Sequence, residues 1–167
     1  DNVQNMENTS FVKDALHNSR TIVTTDYCST LYQNSRKPIW IVSPDSGANK
    51  KINSLYSDLI KIPSLDYLQG IVKCDKIRDV STGELSGFEV FHTDLMGHDC
   101  MIVDDICDGG GTFIGLAEEL LKHNCGDLYL FTTHGIYSKG ISTLTKYFKK
   151  LYCTNSVKDL SEYLQSV

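Results

Sequence analysis

Apolar runs and amphipathic stretches alternate along the chain. Pro38–Ser43 (PIWIVS) is an almost continuous apolar run, the pattern of a strand buried on both faces. Asn49–Leu59 instead repeats apolar residues at Ile52, Leu55, Tyr56 and Leu59, a helical spacing. Further strands are predicted at Leu68–Cys74, Phe88–His92, Cys100–Asp104, Leu128–Thr133 and Lys150–Thr154, with a turn over Gly83–Gly87. The clearest helix is Thr112–His123: Phe113, Leu116, Ala117, Leu120 and Leu121 form one stripe, and Gly126 lies beyond as a stop. Shorter helices are expected over Phe11–His17 and Ile141–Phe148. Strand–helix alternation of this kind predicts an α/β domain, a mainly parallel sheet flanked by helices. Ligands of such sheets bind at the carboxyl ends of strands, so the residues following each strand are where chemistry is expected.

Bulk properties narrow the field. With 167 residues, 41% hydrophobic and 22% charged, the chain suits one globular domain over 1–167 with a sizeable core. A net charge of -5 disfavours nucleic acid or an anionic membrane surface as main partner, but leaves phosphorylated small molecules open, because these need only a local nest of donors. There is no run of about 18 apolar residues, so no membrane span is expected. No signal-peptide pattern opens the chain. The six cysteines (28, 74, 100, 107, 125 and 153) contain no CxxC pair, which argues against zinc and for reduced thiols in a cytoplasmic protein. Nothing basic flanks Cys107, which argues against a reactive thiol there. The chain starts at Asp1-Asn2-Val3 without a methionine, as expected of a processed or trimmed chain or of part of a longer parent.

The segment Met101–Thr112 reads MIVDDICDGGGT. An apolar strand ends in two adjacent acids, followed by a turn, three glycines, a threonine and the strongest helix. Consecutive glycines leave backbone N–H groups bare to close on an anion, and the helix start behind them adds its positive dipole end. Thr112 can donate a hydroxyl or cap that helix. Carboxylates beside a phosphate pocket repel phosphate, so vicinal ribose hydroxyls or a magnesium ion are their natural partners. No lysine precedes Thr112, so the loop is not a Walker A loop, and it lacks the order of the dinucleotide fingerprint.

VDDICDGGGT resembles the phosphoribosyl-pyrophosphate motif of the type I phosphoribosyltransferase fold, which those transferases share with the ribose-phosphate diphosphokinases. The resemblance implies that Asp104 and Asp105 bind the ribose 2- and 3-hydroxyls and that Asp108, Gly109, Gly110, Gly111 and Thr112 cradle the 5-phosphate. Gly109 departs from the threonine of many relatives, which removes one hydroxyl donor.

Three further segments resemble the diphosphokinases in particular. Val42–Ala48 (VSPDSGA) is similar to their diphosphate loop: Asp45 would help hold magnesium, and Ser46, Gly47 and Ala48 would offer backbone donors to diphosphate. Asp75-Lys76-Ile77-Arg78 is similar to the start of their flexible catalytic loop, which makes Lys76 and Arg78 the implied catalytic residues, with Lys73 as rival lysine. Positive charge there suits a transferring diphosphoryl group. Thr132–Ser138 and Thr154-Asn155-Ser156 resemble the segments closing the family's last strands; His134 reads equally as structural or catalytic.

The matches span about Trp40 to Ser156 in the family's order, its carboxy-terminal half, whereas residues 1–36 match poorly. The implied reaction transfers diphosphate from ATP to ribose 5-phosphate, with Mg2+ as cofactor and a homo-oligomeric full-length protein. Much of the ATP site and a metal-binding histidine belong to the family's amino-terminal half, so the isolated chain is expected to bind sugar phosphate but turn over little. Two rivals remain: a phosphoribosyltransferase running on the same motif, and a non-catalytic regulatory relative.

Overall fold

A computed structural model of the chain describes residues 12–13, 22–23 and 37–154. Its elements are β1 (Ile22–Val23), β2 (Ile39–Ser43), α1 (Asn49–Leu59), β3 (Leu68–Arg78), β4 (Leu85–Val90), β5 (Asp99–Cys107), α2 (Gly111–Lys122), β6 (Leu128–Gly135) and β7 (Phe148–Thr154). They build one seven-stranded sheet in the order β1-β7-β6-β5-β2-β3-β4. Strands β7, β6, β5, β2 and β3 run parallel, and β1 and β4 close the edges antiparallel.

The strand alternation explains both layers. Ile39 and Ile41 of β2, Met101 and Val103 of β5, and Tyr129 and Phe131 of β6 pack with Ile52, Leu55 and Leu59 of α1. Their neighbours Val42, Cys100, Ile102, Leu128 and Leu130 pack on the other face with Phe113, Leu116, Ala117 and Leu120 of α2. The continuous apolar runs of the sequence are therefore strands covered on both sides. From β2 the chain crosses by α1 to β3; from β5 it crosses by α2 to β6, in the opposite direction along the sheet. Crossovers of one hand then place the two helices on opposite faces, and the order reverses between β2 and β5. That switch point is where an open α/β sheet leaves a crevice.

Three expectations differ from the structure. Ile141–Phe148 is a loop with a single 3-10 turn at Leu144–Lys146, and Phe148 already begins β7. Ile141, Leu144 and Phe148 are all buried on the α2 side, so their spacing reflects a loop packed on the core, and the Ser, Thr and Ile between them favour helix little. The helix stop is Asn124, whose φ of 58° takes the left-handed conformation. Gly126 serves a close approach instead: a Cβ there would lie 2.5 Å from the Gly97 carbonyl oxygen. Finally, β3 continues four residues beyond Cys74 and pairs with β4, so Leu85–Gly87, expected in a turn, is strand. The helix expected over Phe11–His17 lies outside the described residues apart from Val12 and Lys13.

Candidate functional site at the sheet's switch point

Strand β5 carries Asp104 and Asp105 to the carboxyl edge and ends at Cys107, one residue before the glycine loop. Val103 packs on the α1 side while Cys107 packs on the α2 side, so the strand alternation slips by one residue across the two acids. Asp105 reaches the α1 side and pairs with Lys51. Asp104 accepts the Asp105 N–H at 2.8 Å through Oδ1. Burial lifts the Asp104 carboxyl above its ordinary range; that N–H opposes the rise, the Asp45 and Asp105 charges add to it, and Lys76 offsets part of it. Asp104 is thus a partly buried carboxyl that receives one backbone N–H.

The loop turns on Gly110, with φ 78°, which is the residue preceding α2; Thr112 therefore lies inside the first turn and does not cap it. Adding a Cβ to Gly110 would bring it 3.1 Å from the Leu144 side chain, so both conformation and space require glycine. Among the described residues, no N–H from Gly109 to Phe113 donates a hydrogen bond, and α2 has no side-chain cap. The open donors and the helix dipole converge on one place, the physical specification of a phosphate seat. Cys107 is inert: burial, helped by Asp108 and Asp104, pushes its thiol up to about 12.

Across the switch point, β2 ends at Ser43 and the chain turns through Pro44–Gly47 into α1. The Ala48 N–H donates to Asp45 Oδ1 at 3.0 Å, and Lys76 Nζ donates to Asp45 Oδ2 at 2.7 Å. Burial raises the Asp45 carboxyl, but the Lys76 contact and the Ala48 and Gly47 N–H groups outweigh it, and the net effect is downward. Of the loop's expected donors, then, Ala48 and Gly47 address Asp45 itself. Asp75–Arg78, expected just after a strand, belongs to β3 and pairs with Glu89–Leu85 of β4 across a hairpin. This ladder holds Lys76 over Asp45. Arg78 points elsewhere, donating to the Gly83 carbonyl of the hairpin turn at 3.1 Å. Lys73, paired in register with Ser43, is exposed.

A cleft of about 240 Å³ opens beneath these loops, walled by α1 (Lys51, Ile52, Ser54, Leu55, Asp58), by β5 (Val103, Asp104, Asp105) and by β6 (Phe131, Thr133), with Asp45, Gly47 and Ala48 at its rim. It brings the two acid-bearing loops to one mouth. A match to the phosphoribosyl transferase domain covers residues 13–163. The chain belongs to the phosphoribosyltransferase family. Within it, the chain is 36% identical over 124 residues to the ribose-phosphate pyrophosphokinase of Rhizobium meliloti, an alignment covering 73% of this chain and 37% of that protein. The same-named protein of Agrobacterium fabrum is 34% identical, with 72% and 36% covered. The chain thus spans little more than a third of the curated relatives it matches. Among solved structures, the phosphoribosylpyrophosphate synthetase of Mycobacterium smegmatis superposes with a TM-score of 0.51 at 23% identity, covering 71% of this chain and 35% of that one. The adenine phosphoribosyltransferase of Saccharomyces cerevisiae gives 0.51 at 14% identity, covering 83% and 74%. At these identities the superpositions show the fold alone, and they agree with the type I phosphoribosyltransferase architecture.

Lys51 escaped the sequence reading. Its signal was present: it stands in the first turn of α1, behind the Asp45 loop, where a cation opposes the favourable dipole and so calls for a partner. That the partner is Asp105 follows only from the fold. His134 lies in β6 opposite Ile106 of β5, at the same edge as the acids. Asn155 and Ser156 lie outside the described residues.

Proposed function

We propose that this chain is the sugar-phosphate-binding part of a ribose-phosphate diphosphokinase, which transfers diphosphate from ATP to ribose 5-phosphate and yields phosphoribosyl pyrophosphate and AMP. The observation that carries the reading is the open donor loop at the start of α2, standing beside the partly buried Asp104. The names of the relatives and the Asp45–Lys76 arrangement favour diphosphoryl transfer over transfer to a base. In this reading Asp104 and Asp105 hold the ribose hydroxyls, and Asp108–Thr112 hold the 5-phosphate. The anomeric hydroxyl attacks the β-phosphorus of ATP, and the bond to the bridging oxygen of AMP breaks. Lys76 neutralises charge on the moving group, and the Ser46–Ala48 backbone receives the diphosphate once Asp45 turns away from it.

The donor chemistry suits magnesium: Asp45 and Asp104 are hard oxygen ligands close enough to perturb each other, and this ion is commonly held by one or two carboxylates plus substrate phosphates. Asp45 and Asp104 would hold such an ion, which would supply positive charge to offset the charge developing on the transferring group. Lys76 holds the Asp45 carboxylate until the ion binds.

The test is calorimetry with ribose 5-phosphate and magnesium. The chain should bind, and Asp104→Asn with Asp105→Asn should cost a few kcal/mol, since charge-assisted hydrogen bonds are worth about 1.5–3 each. Unchanged affinity in the double variant sinks the ribose assignment.

A further inference from the structure

The loop after β6 is fastened to the phosphate loop from above. The Ile136 and Tyr137 N–H groups both donate to the Cys107 carbonyl, at 2.8 and 3.2 Å, immediately before Asp108. Tyr137 is 1% exposed and takes a positive φ of 47°; Gly140, with φ 74°, closes the turn by donating its N–H to the Tyr137 carbonyl at 2.8 Å. Between these anchors stands Lys139. Its methylene run lies along Gly109: a Cβ on that glycine would meet the Lys139 Cδ and Cε at 3.4 Å each and the Cγ at 3.8 Å. The ammonium, one bond beyond Cε, is within reach of the loop whose N–H groups from Gly109 to Phe113 are open. Among the described residues no carboxylate pairs with Lys139 and no hydrogen bond involves it.

We infer that Lys139 is a phosphate-binding residue of this site, its arm lying against Gly109 of the loop. The ligand group is a sugar-phosphate dianion: the backbone nest supplies directed donors, and Lys139 supplies the full positive charge that the nest lacks. This rests on the 5-phosphate assignment proposed above. It adds a specificity element from a loop outside the motif, because a ligand without the terminal phosphate gains nothing from Lys139.

Lys139 is exposed, so its replacement leaves the core intact. In calorimetry with ribose 5-phosphate, Lys139→Gln should bind about tenfold more weakly or worse, and its affinity should depend less steeply on salt than that of the unaltered chain. Lys139→Arg should recover part of the loss. If the unaltered chain binds and the Asp104/Asp105 double variant does not, yet Lys139→Gln binds as tightly as the parent, the assignment of Lys139 fails alone. Failure of the unaltered chain to bind ribose 5-phosphate overturns the proposed function and this inference together.

Discussion

The two loops that meet at the switch point are built on opposite plans. At the β5–α2 junction the backbone does the work: a left-handed glycine, a helix start and a stapled neighbouring loop leave donors open and hold them rigidly. At the β2–α1 turn the same kind of backbone is already engaged, because Asp45 accepts from Ala48 and from Lys76. The first loop is preorganised for an anion and pays little on binding; the second must exchange internal contacts for ligand contacts. On the reading proposed above, the first loop would receive its anion as it stands, and the second only after Asp45 exchanges its internal contacts.

The largest expected effect comes from breaking the second plan. In the complete enzyme Lys76→Ala should cut turnover by about a hundredfold or more, the scale of losing a preorganised charge donor, while ribose 5-phosphate affinity changes little. Lys73→Ala should be far milder in steady-state kinetics. The reverse ranking of the two lysines would show that the β3–β4 hairpin does not deliver the catalytic charge.

A smaller effect tests the rigidity of the first plan. Gly110→Ala forces a left-handed alanine against Leu144 at 3.1 Å and should cost about 1–3 kcal/mol in denaturant unfolding. Gly83→Ala, at a φ of 72° in the hairpin turn with nothing within 4 Å, meets the backbone strain alone, about 1–2 kcal/mol. Equal costs would remove the distinction between a packed junction and an open ribbon.

The smallest effect separates binding from stability. Asp104 has a raised carboxyl, so the folded state holds its proton more tightly than the unfolded state. Its contribution is favourable when protonated and declines as pH rises through the folded value. At neutral pH the ligand-free Asp104→Asn variant should therefore melt slightly higher than the parent while binding ribose 5-phosphate more weakly. A lower melting temperature would mean that the Asp104 charge is already satisfied within the fold. Asp45, with its carboxyl lowered, should behave oppositely: its contribution is present above the ordinary carboxylate range and lost as pH falls.

Much of this was legible beforehand. The apolar runs at Pro38–Ser43 and Cys100–Asp104 located the two strands of the switch point, because strands buried on both faces tolerate few polar residues. The stripe Phe113–Leu121 located α2 to within a residue, and VDDICDGGGT located the acid pair and the glycine loop that precedes that helix. Ile141–Phe148 was misread as a helix because Ile141, Leu144 and Phe148 carry helical spacing while packing on the core from a loop and the start of β7. The length of β3 was misread because Lys76 and Arg78 are polar on an edge hairpin, where burial imposes no pattern.

The sequence by itself determined the fold class, most of the order of the elements and the place of the glycine loop before α2, because each rests on local periodicity or on a contiguous run of residues. Only the tertiary structure decided which charges meet: Lys51 with Asp105, Lys76 with Asp45, and Lys139 above Gly109. Those partners lie roughly 30 to 54 positions apart along the chain and are brought together by parallel strand pairing and a shared carboxyl edge. Long-range pairing of that kind leaves no local signature, since a lysine that meets a carboxylate across a cleft and one that meets water are the same residue in the sequence.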